Sequence, residues 1–389
     1  MFILRQFTKI ISSGKNMLVP SLIFAFSLLI FYGYNPFSEN FCLSTHTFIY
    51  LLSFGSFIAL LYFNRGTTVF LFLIVILNYT LINLFKHIYG SEYTTSPFYI
   101  SLCSLVPFNL LFFYFIHPKN FLSKSNISFL LGILIQFSIA ELLGKNQIAL
   151  GINLQFMTSS VNIISAIGFT ILITATFINA VRSGSIMDFN LFFAFLCIFL
   201  SVYYSDTASG LSVFSLASVL CLISAFTQKI YSETYKDPIT ELNSRNSYII
   251  DTKKLPLKYS IGIIIIDDYD KLGNNFGKRI RNTLTKLICK QILTFEKEEN
   301  IYRYNPDEFI IVFRDADKKE GFQRLEDIRR SIASAQFQYS HKRKPLKLTI
   351  SACISEKKRS DSSSYEVLQR ADKALQKTRL FSHNVTSQA

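Results

Sequence analysis

Eight apolar runs, each at or near the length that crosses a bilayer, fill the first 228 of the chain's 389 residues. They lie at roughly 17–34, 47–63, 68–85, 98–116, 127–143, 161–181, 189–204 and 208–226. A hydrocarbon core about 30 Å thick takes about 20 such residues as a helix. Only helices or closed barrels satisfy their backbone there, and runs this long read as helices. The composition then changes abruptly. Residues 1–228 carry 9 Lys/Arg and 5 Asp/Glu, whereas residues 229–389 carry 31 and 21. The expected organisation is an all-α polytopic membrane domain over 1–228, a short helical linker over 229–236, and a globular domain over 237–389. The first run is too long for a cleaved signal peptide, and no small-x-small site closes it.

Lysine and arginine set an orientation. Arg5, Lys9, Lys15, Arg65, Lys119, Lys124 and Arg182 fall on one side, and Lys86 and Lys145 on the other. The globular half emerges on the basic side, so the positive-inside rule places both it and the N-terminus in the cytoplasm. Few polar residues interrupt the runs. Asn78, Asn83, Asn109, Gln136, Glu141 and Asn162 do so, and Glu141, near the outer end of the fifth run, is the ionisable one. Pro107 should kink the fourth helix. The six cysteines show no metal-ligand spacing and no disulfide framework.

The globular half opens with a turn at Asp237-Pro238, where the residue before proline avoids the helical region. Ser260 to Ile266 is a continuous apolar run, expected as a buried central strand, with Asp267, Asp268 and Asp270 at its end. Asn274 to Lys278 reads as a loop. Arg279 to Phe295, Gly321 to Gln336 and Tyr365 to Leu380 read as helices, and Leu346 to Ile354 as a strand. Between the first two helices, Ile301 to Tyr304 and Ile310 to Phe313 read as a hairpin turning at Asn305-Pro306, with Asp307 and Glu308 directly after the turn. Neighbouring strand residues face opposite ways, so these two carboxylates are expected in different environments. The order is that of an α+β domain with an antiparallel-containing sheet. The basic run His341-Lys342-Arg343-Lys344 reads as a solvated loop. No basic surface interleaved with aromatics suggests a nucleic-acid partner.

Residues 237–384 resemble the GGDEF domain of bacterial diguanylate cyclases. Three ordered motifs carry the likeness: Asp237 to Arg245, Arg303-Tyr304-Asn305-Pro306-Asp307-Glu308-Phe309, and Ala371-Asp372-Lys373-Ala374-Leu375 continuing to Arg379. The resemblance implies a domain that joins two GTP molecules into cyclic di-GMP across a dimer. It implies Mg²⁺ held by carboxylates, a Gly-Gly turn beside the phosphates, and a catalytic carboxylate. Asp307 then matches the hairpin's metal ligand and Glu308 the catalytic residue. Other positions depart from the pattern. The second metal aspartate falls on Ile265, which offers no oxygen ligand, with Asp267 a weak substitute. The guanine-binding asparagine falls on Gly273, and the second base contact becomes Asn282. The phosphate-side lysine becomes Arg379, followed by His383. Asn305-Pro306 replaces Gly-Gly, so a backbone donor is lost at Pro306. The arginine of the family's product-inhibition site falls on Glu296, which reverses its charge.

The pattern suggests a membrane-bound cyclic di-GMP signalling protein whose GGDEF-like domain is catalytically impaired. It would act as a regulator, or as a homodimer or heterodimer partner of another such domain, with the lipid bilayer around its first half and GTP as a candidate ligand. Two alternatives stay open: a working diguanylate cyclase with an atypical site, and an anchor or sensor whose soluble domain binds only protein.

Overall fold

A computed structural model describes residues 2–33, 39–62, 66–90, 93, 96–116, 163–339 and 345–389, with scattered positions between 128 and 142. The chain divides into two compact units, Met1–Lys229 and Ile230–Ala389.

The first unit is helical throughout its described length. Its helices are α1 (Phe2–Gly33), α2 (Glu39–Tyr62), α3 (Gly66–Tyr89), α4 (Pro97–Ile116), α5 (Ile163–Ser183), α6 (Ile186–Tyr203) and α7 (Ala208–Tyr235). Among the described residues, seven are long and apolar enough to cross a membrane. The fifth expected span, 127–143, falls where only scattered residues are described, and Glu141 lies outside them. Some polar side chains inside the spans bond within their own helix. Ser104 Oγ donates to Ile100 O at 2.9 Å, and Asn83 Nδ2 donates to Tyr79 O at 2.9 Å. Asn78 and Asn109 are buried. Pro107 does sit within α4, and Gly168 of α5 lies against its ring. A Cβ built on Gly168 would stand 2.7 Å from Pro107 Cγ, so only glycine permits this approach.

The linker residues do not form a separate element. Helix α7 continues to Tyr235, and the chain turns at Asp237. The second unit holds one six-stranded sheet in the order β1-β3-β4-β2-β5-β6. The strands are β1 (Asn243–Ser244), β2 (Tyr259–Ile266), β3 (Ile301–Asn305), β4 (Glu308–Arg314), β5 (Ile350–Glu356) and β6 (Thr386–Gln388). The central β2 runs antiparallel to both β4 and β5, while the edge strands β1 and β6 pair parallel to their neighbours. All eight residues of β2 are buried, as a strand covered on both faces requires. The helices are α8 (Arg245–Asp251), α9 (Tyr269–Phe276), α10 (Lys278–Ile292), α11 (Lys318–Ser334) and α12 (Ser364–Arg379).

Strand alternation sorts the core into two layers. Ile264, Ile266, Phe309, Ile311 and Phe313 pack with Leu284 and Ile288 of α10 and Leu325 and Ile328 of α11. On the opposite face, Ile261, Ile263, Ile265, Tyr302, Ile310 and Val312 pack with Tyr248 of α8 and Val367, Leu368, Ala371 and Leu375 of α12. The unit is therefore an α+β sandwich.

Three local expectations are corrected. Asn274 to Phe276 continue helix α9, because the break needs a positive φ and that falls at Gly277, with φ 82°. The hairpin turns at Pro306-Asp307, with Asn305 still in β3 across a register irregularity. Strand β5 begins at Ile350 rather than Leu346, which makes only an isolated bridge to Phe337. The basic run 341–344 lies outside the described residues.

Candidate functional site

The hairpin is anchored from below by Arg303, whose side chain is almost wholly buried. Its Nη1 donates to Asp237 Oδ1 at 2.6 Å, and its Nη2 to Pro306 O at 2.7 Å. The opening turn and the hairpin tip are thus held by one guanidinium, whose fixed donor fork suits such bridging. Asp237 Oδ1 also accepts from Ile239 N, Thr240 N and Thr240 Oγ1. Burial pushes this carboxyl up, yet the bonds from Thr240 and Arg303 outweigh it and hold the group below its usual value.

Glu308 begins β4 directly opposite Ile265 of β2. It is 9% exposed, and its Oε2 accepts from Asn305 Nδ2 at 2.5 Å. Burial raises its carboxyl above the usual range against the lowering effect of Asn305; Asp372 and Asp307 raise it further, and Arg245 lowers it. Arg245 also stacks its guanidinium 4.5 Å from the centroid of Tyr304. Asp307 sits in the turn itself, half-buried, with its carbonyl accepting from Ile266 N at 2.9 Å.

Asp267 is not placed as a metal ligand. Its Oδ1 takes Ser351 Oγ at 2.8 Å and His383 Nδ1 at 3.3 Å, and its Oδ2 takes Thr349 Oγ1 at 2.8 Å and Asn384 N at 3.0 Å. A carboxylate offers about four lone-pair sites, and Ser351, Thr349 and Asn384 take three of them. Arg379 Nε lies 3.9 Å from Oδ1, so this expected phosphate contact leans on Asp267 too. The cluster ties the segment ahead of β6 to the end of β2. Asp268, exposed with φ 54°, is drawn below its usual value first by a bond from Lys271.

The base-contact positions are filled from within. Gly273 lies in α9, and a Cβ built there would stand 2.6 Å from Arg281 Nη1. The Arg281 guanidinium rests 4.7 Å from the Tyr269 ring centroid, and its Nε is buried without a hydrogen-bond partner. Asn282 is half-buried in the first turns of α10. Glu296 is buried and accepts from Arg324 Nη1 at 3.1 Å, so its negative charge serves an ion pair with α11.

A family model described as diguanylate cyclase, GGDEF domain, matches residues 234–384. This segment is a GGDEF domain. Solved GGDEF structures are similar to part of the chain. The coiled coil and GGDEF domain of DgcB from Caulobacter crescentus, in complex with c-di-GMP, is 17% identical. The match covers 42% of this chain and 90% of that one, with a TM-score of 0.39. The FimX GGDEF domain from Pseudomonas aeruginosa is 16% identical over 40% and 99%, with a TM-score of 0.37. The active GGEEF domain of a diguanylate cyclase from Vibrio cholerae is 21% identical over 36% and 89%, with a TM-score of 0.32. No curated protein sequence matches the chain.

GGDEF domains generally use Mg²⁺ for catalysis, and the residues here do not fit a carboxylate-held pair of such ions. Mg²⁺ demands oxygen ligands in near-octahedral array. Ile265, which the resemblance aligns with the second metal aspartate, lies opposite Glu308, Asp267 is engaged by Ser351, Thr349 and Asn384, and Glu308 is bonded to Asn305. Among the described residues, no three His, Cys, Asp or Glu side chains are placed to share a metal ion. Sequence reasoning missed Arg281, Arg245 and Asp372 as neighbours of the site. Arg245 and Asp372 lie in the recognised motifs, whereas nothing in the spacing alone connects Arg281 to Gly273.

Proposed function

We propose that this is a multi-pass protein of the bacterial inner membrane whose cytoplasmic GGDEF domain does not turn over GTP. It serves cyclic di-GMP signalling as a regulator, through a homodimer or through a mixed dimer with an active cyclase. The single observation that carries this reading is Ile265 lying opposite Glu308, an apolar side chain beside the carboxylate to which the family resemblance gives the catalytic role. The blocked space at Gly273 and the donorless Pro306 support it. The fold itself remains well determined: Asp237, Arg303 and the hairpin are still knitted together. A domain that keeps its shape while losing its ligands suits a binding role.

The test is co-reconstitution in one lipid bilayer with an active GGDEF cyclase at fixed concentration. Cyclic di-GMP output should change as this chain is added, and the change should vanish when its GGDEF domain is deleted. An output independent of this chain, across partners, would remove the regulatory reading. Titration of the full chain with GTP and Mg²⁺ should show no Mg²⁺-dependent heat at millimolar nucleotide.

A further inference from the structure

The outer face of α12 carries a pattern that the nucleotide site does not explain. Tyr365 is 61% exposed, Leu380 81% and Phe381 90%. Between them, spaced three and four residues apart on one side of the helix, Gln369, Lys373, Gln376 and Lys377 are all exposed. This stripe spans roughly 24 Å at 1.5 Å per residue. The buried side of the same helix, Val367, Leu368, Ala371 and Leu375, is committed to the sheet. The exposed apolar groups are therefore not core residues out of place. They are large groups held in water at both ends of a lysine-bearing face. Two acids border the face: Glu366 accepts from Ser362 N and Oγ at the helix start, and Asp372 accepts from Gln376 Nε2 at 2.8 Å.

We propose that the exposed face of α12, from Tyr365 to Phe381, rests on an anionic lipid surface. Three observations select lipid as the occupant. Helix α7 has the length and apolar character of a membrane span as far as Tyr235, and the domain's first turn begins at Asp237. The tether is so short that the domain meets a bilayer at high effective concentration. Residues 229–389 carry 31 basic and 21 acidic side chains, an excess of ten positive charges that suits an anionic leaflet. Aromatic and aliphatic groups with lysines whose stems can snorkel are the composition of interfacial helices. The proposal stands whether or not the domain turns over GTP.

The chain has no tryptophan, which makes the test direct. Phe381→Trp supplies a single tryptophan, excited selectively over the tyrosines, in the full chain reconstituted into nanodiscs containing anionic lipid. Phe295→Trp is the control: Phe295 is 44% exposed and follows α10, on the opposite face of the sheet. Expected is blue-shifted emission at position 381, quenched by lipids brominated in the acyl chain, with position 295 unquenched. Both effects should weaken in discs of zwitterionic lipid and in Lys373→Glu/Lys377→Glu, with unchanged circular dichroism. Emission from water at position 381 in anionic discs would overturn the proposal. So would shielded emission that brominated lipid fails to quench, which would assign the face to a second copy or a protein partner.

Discussion

Replacing Ile265 by aspartate puts a carboxylate directly across from Glu308. Ile265 is 7% exposed and packs with Tyr302, Ile310 and Ala371. Losing that apolar burial costs about 1.5–3 kcal/mol. The new charge adds about 1–3 kcal/mol, since it enters without a partner beside Glu308 and close to Asp307 and Asp372. The sum, about 2.5–6 kcal/mol, lowers the melting temperature of a domain this size by about 5–24 °C. Mg²⁺ should return part of the loss, because Ile265→Asp supplies the missing oxygen ligand. At tenfold excess over its Kd, the ion restores about 1.4 kcal/mol. The assay is calorimetry of the full chain in nanodiscs, following the GGDEF transition with and without millimolar Mg²⁺. The wild type should show no Mg²⁺ effect. An Ile265→Asp variant that melts like the wild type would refute the placement of Ile265 against Glu308. A loss untouched by Mg²⁺ would refute the claim that this side chain is what the ion lacks.

Three further outcomes follow from the same geometry. Glu308 has a raised carboxyl, so its neutral form suits the fold; that contribution is complete below its unfolded value near 4.5 and is lost as pH rises. Glu308→Gln keeps an oxygen for Asn305, so it should melt higher than wild type at neutral pH, with the gap closing on acidification. Gly273→Ala should be nearly neutral in stability, since a helix gain of about 1 kcal/mol is offset by pushing Arg281 off Tyr269. In an Arg281→Ala background the same change should stabilise by about 1 kcal/mol, and additivity between the two would show that the side chains do not meet. In the membrane unit, Gly168→Ala sets a methyl against the rigid Pro107 ring and should cost about 1–3 kcal/mol in thermal unfolding.

Much of the fold was legible because its signals are local. Seven of the eight apolar runs match described helices of the first unit, and Ser260 to Ile266 named the central strand, since a continuous apolar run bounded by charges has few other uses. The loop expected at Asn274 to Lys278 failed because two asparagines and a glycine look like a turn, while tertiary packing extends the helix to Phe276. Strand β6 was invisible: it pairs with β5, and Asn384 just ahead of it is held by Asp267 and by Arg329, which donates to Asn384 Oδ1 at 2.8 Å, contacts 117 and 55 residues apart in sequence. At the site, the residue types at 265, 273, 296 and 306 depart from the pattern that the resemblance implies. What took their place was not readable. The Arg281 stack, the Asn305 bond to Glu308 and the bonds made to Asp267 all depend on side chains that meet only after the sheet has formed.

The central claim is that this GGDEF domain does not make cyclic di-GMP, and turnover tests it most directly. The full chain in nanodiscs, shown to be folded by calorimetry, would be incubated with GTP and Mg²⁺ and the products separated by chromatography. The expected result is no cyclic di-GMP from the wild type. Cyclic di-GMP that disappears in Glu308→Gln would contradict the claim and would mean that catalysis proceeds with Ile265 in place of a metal-binding carboxylate.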